Sequence, residues 1–148
     1  MKLSGSYEFN ATPEMVWQTL TNPTSLSACI PGCEKLEEVG KDEYSATVTI
    51  SMGPIRSKFN ASVKMLDQQP YESYRLVIEG NGPSGFVKGE SQVTLADNDG
   101  NTTVTVDSDS SSGGLLARVG QRMMESFAKS MMDRFFTCLQ QSINQPVN

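Results

Sequence analysis

The sequence predicts an α+β domain: a curved antiparallel sheet of seven strands wrapped round one long C-terminal helix, with two short helices after the first strand. Three observations carry this. The first two thirds of the chain is a series of segments in which apolar and polar residues alternate, the period of a strand with one face buried. The links between those segments are short and rich in Gly, Pro, Asn and Asp, which favours a meander of sequence neighbours. From Leu115 onward the period changes. Leu115, Val119, Met123, Phe127, Met131, Phe135, Leu139 and Ile143 recur at every fourth residue, with Leu116, Met124, Met132 and Phe136 beside them. A stripe that broad buries against something large, and the sheet is the partner available.

Leu3, Gly5, Tyr7 and Phe9 alternate as a first strand. Thr12 is a good N-cap and Pro13 a good first helical residue, with Glu14 suited to the positive end of the dipole, so a helix is expected over Pro13–Leu20. Asn22 or Thr24 starts a second short helix, ended by Pro31-Gly32. Strands follow from Cys33 to Val39 and from Tyr44 to Met52. The next begins at Ile55 after the Gly53-Pro54 turn, with Phe59, Ala61, Val63 and Met65 on one face, and ends at Gln69-Pro70. Tyr74, Leu76 and Ile78 mark another, stopped by Gly80-Asn81-Gly82-Pro83. Phe86–Leu95 and Thr102–Ser110 complete the set, with Val104 and Val106 inward. Ser110–Gly114 reads as a flexible joint before the helix, and the tail over 144–148 is expected to fray.

The 148 residues suit one domain, 1–148, able to bury a core without staples. The formal charge is −5, which argues against nucleic acid as a partner. It is unevenly spread: −7 before Ser112 and +2 from there on, where Arg118, Arg122, Lys129 and Arg134 lie on the long helix. A solvated helix face is the plain reading of those four; an anionic surface is the other. Cys29, Cys33 and Cys138 make an odd count without a leader-like segment, so reduced cytoplasmic thiols are expected. No apolar run reaches the ~20 residues of a membrane span. The C-x3-C spacing is a weak metal signal in a chain with no histidine, and no metal site is expected. The lack of histidine also excludes Ser-His-Asp and Cys-His catalysis. Asp107 and Asp109 fall on the solvent face of their strand and Ser108 and Ser110 on the inner one, so no carboxylate dyad, and no catalytic residue, is assigned.

A meander gripping one helix resembles the helix-grip fold of the Bet v 1/START-like (SRPBCC) superfamily, which commonly holds an apolar ligand between sheet and helix. The residues carry the resemblance further. Asn22-Pro23 with Cys29-Ile30-Pro31-Gly32-Cys33-Glu34 resembles a segment typical of the CoxG-like family, the G subunits of carbon monoxide dehydrogenase. Met52-Gly53-Pro54-Ile55 is similar to its "VGP[IV]" turn, and Gly85-Phe86-Val87-Lys88-Gly89 to its "G-F-x-K-G" strand start. Gly114-Leu115-Leu116-Ala117, Gly120-Gln121-Arg122 and the pair Phe135-Phe136 resemble its helix. Together they span Lys2 to about Leu139.

The resemblance implies an accessory protein with no covalent cofactor. It would bind a quinone or lipid and act beside a molybdenum hydroxylase of carbon monoxide dehydrogenase type, recruiting it to the membrane or taking its electrons. Many members carry a C-terminal membrane anchor; this sequence ends at Asn148 without one, so the expected membrane contact is transient and the expected place is the cytoplasm or the inner face of its membrane. The ligand would lie between Met123, Phe127, Met131 and Phe135 of the helix and Trp17, Val48, Ile50 and Phe59, with Val63, Leu76, Ile78 and Val93 completing the walls. Flexible, polarizable Met side chains suit a wall that adapts to an apolar guest. Phe86, Lys88, Gln121 and Arg122 are expected at the rim or against a partner. Two other readings stay open: a cyclase- or isomerase-like enzyme on this fold, and an interaction subunit with a closed core.

Overall fold

The computed structural model describes residues 1–144. Strand β1 (Lys2–Phe9) leads into helices α1 (Pro13–Leu20) and α2 (Pro23–Cys29). Six strands follow: β2 (Cys33–Gly40), β3 (Glu43–Met52), β4 (Ile55–Gln69), β5 (Ser73–Gly82), β6 (Gly85–Asn98) and β7 (Asn101–Gly113). A 3-10 turn (Gly114–Val119) then joins helix α3 (Gln121–Asn144). The seven strands form one antiparallel sheet in the order β1-β7-β6-β5-β4-β3-β2. The helix-grip arrangement expected from the sequence is thus the one observed. The tail from 145 lies outside the described residues.

Local chemistry explains the boundaries. Thr12 Oγ1 accepts from the Met15 amide at 3.3 Å, and Asn22 Oδ1 accepts from the Thr24 amide at 2.8 Å, which makes Asn22 the cap of α2. Alternation sets the faces. On β4, Ile55, Ser57, Phe59 and Met65 are buried while Arg56, Lys58, Asn60 and Lys64 are exposed. The β6–β7 turn places Asp99 and Gly100 at φ 54° and 87°, the left-handed pair that matches strand twist in a tight hairpin.

Three sequence expectations are corrected. The serine run is no flexible joint: Ser111, Ser112 and Gly113 pair with Lys88, Val87 and Phe86, so the β6–β7 ladder extends three residues further. Polar side chains do not prevent a ladder whose bonds are made by backbone. Nor does the helix begin at Leu115. Residues 114–119 form the 3-10 turn, and Gly120 at φ 94° breaks the axis before α3. Finally, a strict four-residue row drifts by about 40° per step on a helix of 3.6 residues per turn. Across the five steps from Met123 to Ile143 the drift is about 200°, which the breadth of the stripe accommodates from Phe127 to Ile143 and not at Met123. The buried side takes in Met124, Phe127, Met131, Met132, Phe135, Phe136, Leu139 and Ile143, all from the expected stripe, whereas Met123 turns out over Gly53, its sulfur 2.9 Å from where a Cβ on that glycine would stand.

The cysteines are a fourth correction. Cys29 and Cys138 form a disulfide with Cα atoms 5.4 Å apart, and Cys33 alone is free. The last turn of α2 packs on α3, which brings together two thiols 109 residues apart in sequence.

Candidate functional site

The meander gives the molecule two ends. The β3–β4 and β5–β6 turns, the 3-10 turn and the start of α3 lie at one, here called the tip. The β2–β3, β4–β5 and β6–β7 turns and the far half of α3, with α1 and α2, lie at the base. Each end has its own apolar cluster. The base cluster holds Phe9, Val16, Trp17, Tyr44, Met65, Tyr74, Val93, Val104, Phe136 and Leu139, with Val63, Leu76, Met132 and Phe135 packed on it. Trp17 meets Tyr74 edge-on at 5.5 Å and Tyr7 stacks on Phe136 at 4.3 Å. The tip cluster holds Met52, Ile55, Phe59 and Leu116, with Ile50, Val87, Val119, Met124 and Phe127.

Residues midway along the sheet and helix join neither. Ile78 and Met131 are half-buried and belong to no cluster, although Leu76 and Phe135 join one and Phe127 the other. A closed domain core is ordinarily one contiguous cluster. The principal backbone contacts of α3 are with β1, α1, α2 and the 3-10 turn, so the helix is held at an edge and at its ends. Beneath it the concave face narrows to small and polar side chains. Ile78, Gly89 and Ser110 stand in one cross-strand rank, and Leu76, Ser91 and Ser108 in the next. Ser91 Oγ and Ser108 Oγ share a hydrogen bond of 2.7 Å. Gly80, also on this face, is buried, yet a Cβ added there would meet no atom within 4 Å.

The charged groups near this region are tied to one another. Tyr7 Oη donates to Asp133 Oδ1 at 2.7 Å, and Lys129 Nζ donates to the same oxygen at 2.9 Å. Burial, with the Asp133 carboxylate beside it, raises the Tyr7 pKa well above the ordinary phenol value. The hydrogen bonds from Lys129 and Tyr7 lower that of Asp133. The described residues contain no group of three or more His, Cys, Asp or Glu placed to hold a metal ion. Two open depressions of about 380 and 340 Å³ lie on the convex face, among Glu79, Lys88, Glu90 and Asp109 and among Arg75, Gln92 and Asp107. Arg75 is engaged there with Asp67 and Glu90.

The twelve residues expected to line a cavity are divided by this arrangement. Trp17, Val63, Leu76, Val93 and Phe135 stand at the base, and Ile50, Phe59 and Phe127 at the tip. Ile78 and Met131 lie between, Val48 is buried outside both clusters, and Met123 is exposed. Of the rim residues, Lys88 Nζ stands 5.8 Å from the Phe86 ring centroid, Gln121 donates to Glu125, and Arg122 is exposed. Ser91, Tyr7 and Asp133 were not singled out in the sequence. The alternation of β6 and β1 places the first two inward; the i, i+4 spacing of Lys129 and Asp133 was the available signal for the third.

The sequence matches the family model for the G subunit of carbon monoxide dehydrogenase (CoxG) over residues 5–144. The chain belongs to the CoxG family. The membership agrees with the helix-grip fold, the fold of the SRPBCC/START-like superfamily. No curated protein matches the sequence. Among solved structures, a conserved protein from Geobacillus kaustophilus is similar at 36% identity and a TM-score of 0.93, over 97% of this chain and 95% of that one. A START superfamily protein from Mycobacterium smegmatis shares the fold at 13% identity and a TM-score of 0.73, covering 97% of both chains. So does the ZhuI aromatase/cyclase from a Streptomyces species, at 12% identity and a TM-score of 0.66, over 96% of this chain and 92% of that one.

Proposed function

We propose that this CoxG-family chain is an accessory protein that holds an apolar, quinone-class molecule between α3 and the concave face of the sheet. In this reading it works in the cytoplasm beside a molybdenum hydroxylase of carbon monoxide dehydrogenase type. It touches the inner face of the membrane transiently to exchange its cargo. The observation that carries the ligand part is the divided interior. Two apolar clusters leave Ile78, Met131 and the open space over Gly80 between them. Apolar walls with a few placed polar groups are the usual composition of a small-molecule site. The hydroxyls of Ser91 and Ser108 are suited to a ring oxygen, and the half-buried Phe127, Met131 and Phe135 to the ring and its chain.

Binding is favoured over catalysis by the groups on that face. They are serine hydroxyls and a tyrosine held neutral, and general acid–base work wants a group whose pKa lies near the working pH. Two experiments test the reading. Organic extraction of protein purified from its native host, followed by mass spectrometry, should release an apolar molecule. Titration with menaquinone and ubiquinone analogues should quench Trp17 and raise the melting temperature. An empty extract together with no response to either quinone defeats the carrier reading, and the interaction subunit takes its place. Affinity capture from the host then decides the partner: a molybdenum hydroxylase subunit among the captured proteins is the expected result, and its absence defeats that part.

A further inference from the structure

The charged residues of this chain are sorted end to end. At the base, the turn segments 40–43, 67–73 and 96–101 carry Asp42, Glu43, Asp67, Glu72, Asp97 and Asp99 against Lys41 alone. At the tip, the segments 51–58, 80–87 and 110–124 contain Arg56, Lys58, Arg118 and Arg122, and no Asp or Glu; Lys88 comes next, but it stands opposite Glu79 in the ladder and shares a depression with Glu79, Glu90 and Asp109. Lys58 is paired with Glu34. Arg56, Arg118 and Arg122 are exposed, and among the described residues none is within ion-pair distance of a carboxylate. A molecule with a charge of −5 is repelled as a whole by an anionic surface, and of its two ends the tip is the one poor in carboxylates.

The tip also exposes apolar surface. Phe86, Leu115 and Met123 are 38%, 51% and 40% exposed, and each has a cation close by in sequence: Lys88, Arg118 and Arg122. Apolar side chains interleaved with Arg and Lys are the chemistry of a water–lipid boundary, where the hydrocarbon enters and the cations reach phosphate. We propose that the tip is a docking face for an anionic lipid bilayer, with Phe86, Leu115 and Met123 entering the headgroup boundary and Arg56, Arg118 and Arg122 on lipid phosphates. The inference rests on the membrane-contact part of the reading above and names the surface that makes it.

The test is co-sedimentation with vesicles of phosphatidylcholine containing about a third phosphatidylglycerol, against vesicles of phosphatidylcholine alone. The protein should bind the first and not the second, and rising salt should release it. Replacing both Arg118→Gln and Arg122→Gln should weaken binding about fivefold for each cation removed. Phe86→Ser with Leu115→Ser should weaken it as well. Arg134→Gln, about 18 Å along α3 from Arg122, should not. Equal binding to both vesicles, salt-insensitive binding, or an Arg134 variant as weak as the tip variant overturns the assignment. Retention on polyglutamate beads with none on vesicles overturns it in favour of an acidic protein. Vesicle binding without quinone binding supports the docking face while defeating the ligand part of the reading above. Quinone binding without vesicle binding overturns the docking face alone.

Discussion

Gly80 allows the space under α3 to be measured. It is buried on the concave face of β5, and a Cβ there would meet nothing within 4 Å. Gly82, two residues along the same strand, is the opposite case: its Cβ would collide with the Lys58 carbonyl, which is backbone and cannot swing aside. Replacing Gly80 by Ala should stabilise the protein by about 0.4–1 kcal/mol, because the unfolded chain loses freedom and nothing is displaced. For a domain of this size that raises the melting temperature by roughly 1–4 °C. Gly82→Ala should cost about 1–3 kcal/mol through strain and lower the melting temperature by several degrees. Gly80→Leu then asks what the space is for. It should be tolerated, and it should lower quinone affinity at least tenfold by occupying the ligand's place. Calorimetric melts and the quinone titration read both effects. A Gly80→Ala variant that melts lower than wild type shows the space to be absent. A Gly80→Leu variant that binds quinone as wild type does shows that the ligand lies elsewhere.

Three further outcomes are expected. Cys138→Ser opens a covalent loop of 109 residues and should lower stability by about 4–5 kcal/mol on the chain-entropy account, seen in urea unfolding and matched by wild type in reductant. Thr102 is fully buried and its hydroxyl donates to the Ala11 carbonyl at 2.7 Å, so Thr102→Val should cost about 1–3 kcal/mol in the same assay. Burial raises the Tyr74 pKa, so above pH 10 the unfolded chain ionises this phenol and the folded one does not. Stability should therefore fall as pH rises past 10, by up to about 1.4 kcal/mol per pH unit from this residue, and Tyr74→Phe should flatten the fall in melts between pH 9 and 11.5.

The strands and caps were legible because each rests on local chemistry. Val104 and Val106 with the polar residues between them identify an inward face, and Thr12-Pro13 a helix start, without reference to anything distant. The errors arise where a tertiary partner decides. Ser111–Gly113 looks like a linker until Phe86–Lys88 lies beside it. Cys29 and Cys138 look like isolated thiols until α2 packs on α3. At the candidate site the inward positions of Ser108 and Ser110 followed from alternation, and the division of the interior did not. A list of apolar residues gives the area to be buried; whether they meet in one cluster or two depends on where α3 is fastened.

The strand order has a consequence for how the chain acquires its shape. Every pairing from β2 to β7 joins neighbours in sequence, whereas β1 pairs with β7 across the whole length, Lys2 against Asp109. Strand β1 is therefore made before its partner, with both of its edges unpaired until β7 arrives and Tyr7 and Phe9 uncovered until α3 packs against them. Closing a loop of that length is the slow step of such a topology. The hairpins of β2 to β7 should gain amide protection early in refolding and β1 last, together with α3, in a pulse of hydrogen exchange. Protection of β1 ahead of the β3–β4 hairpin would mean that the ends of the chain find each other first.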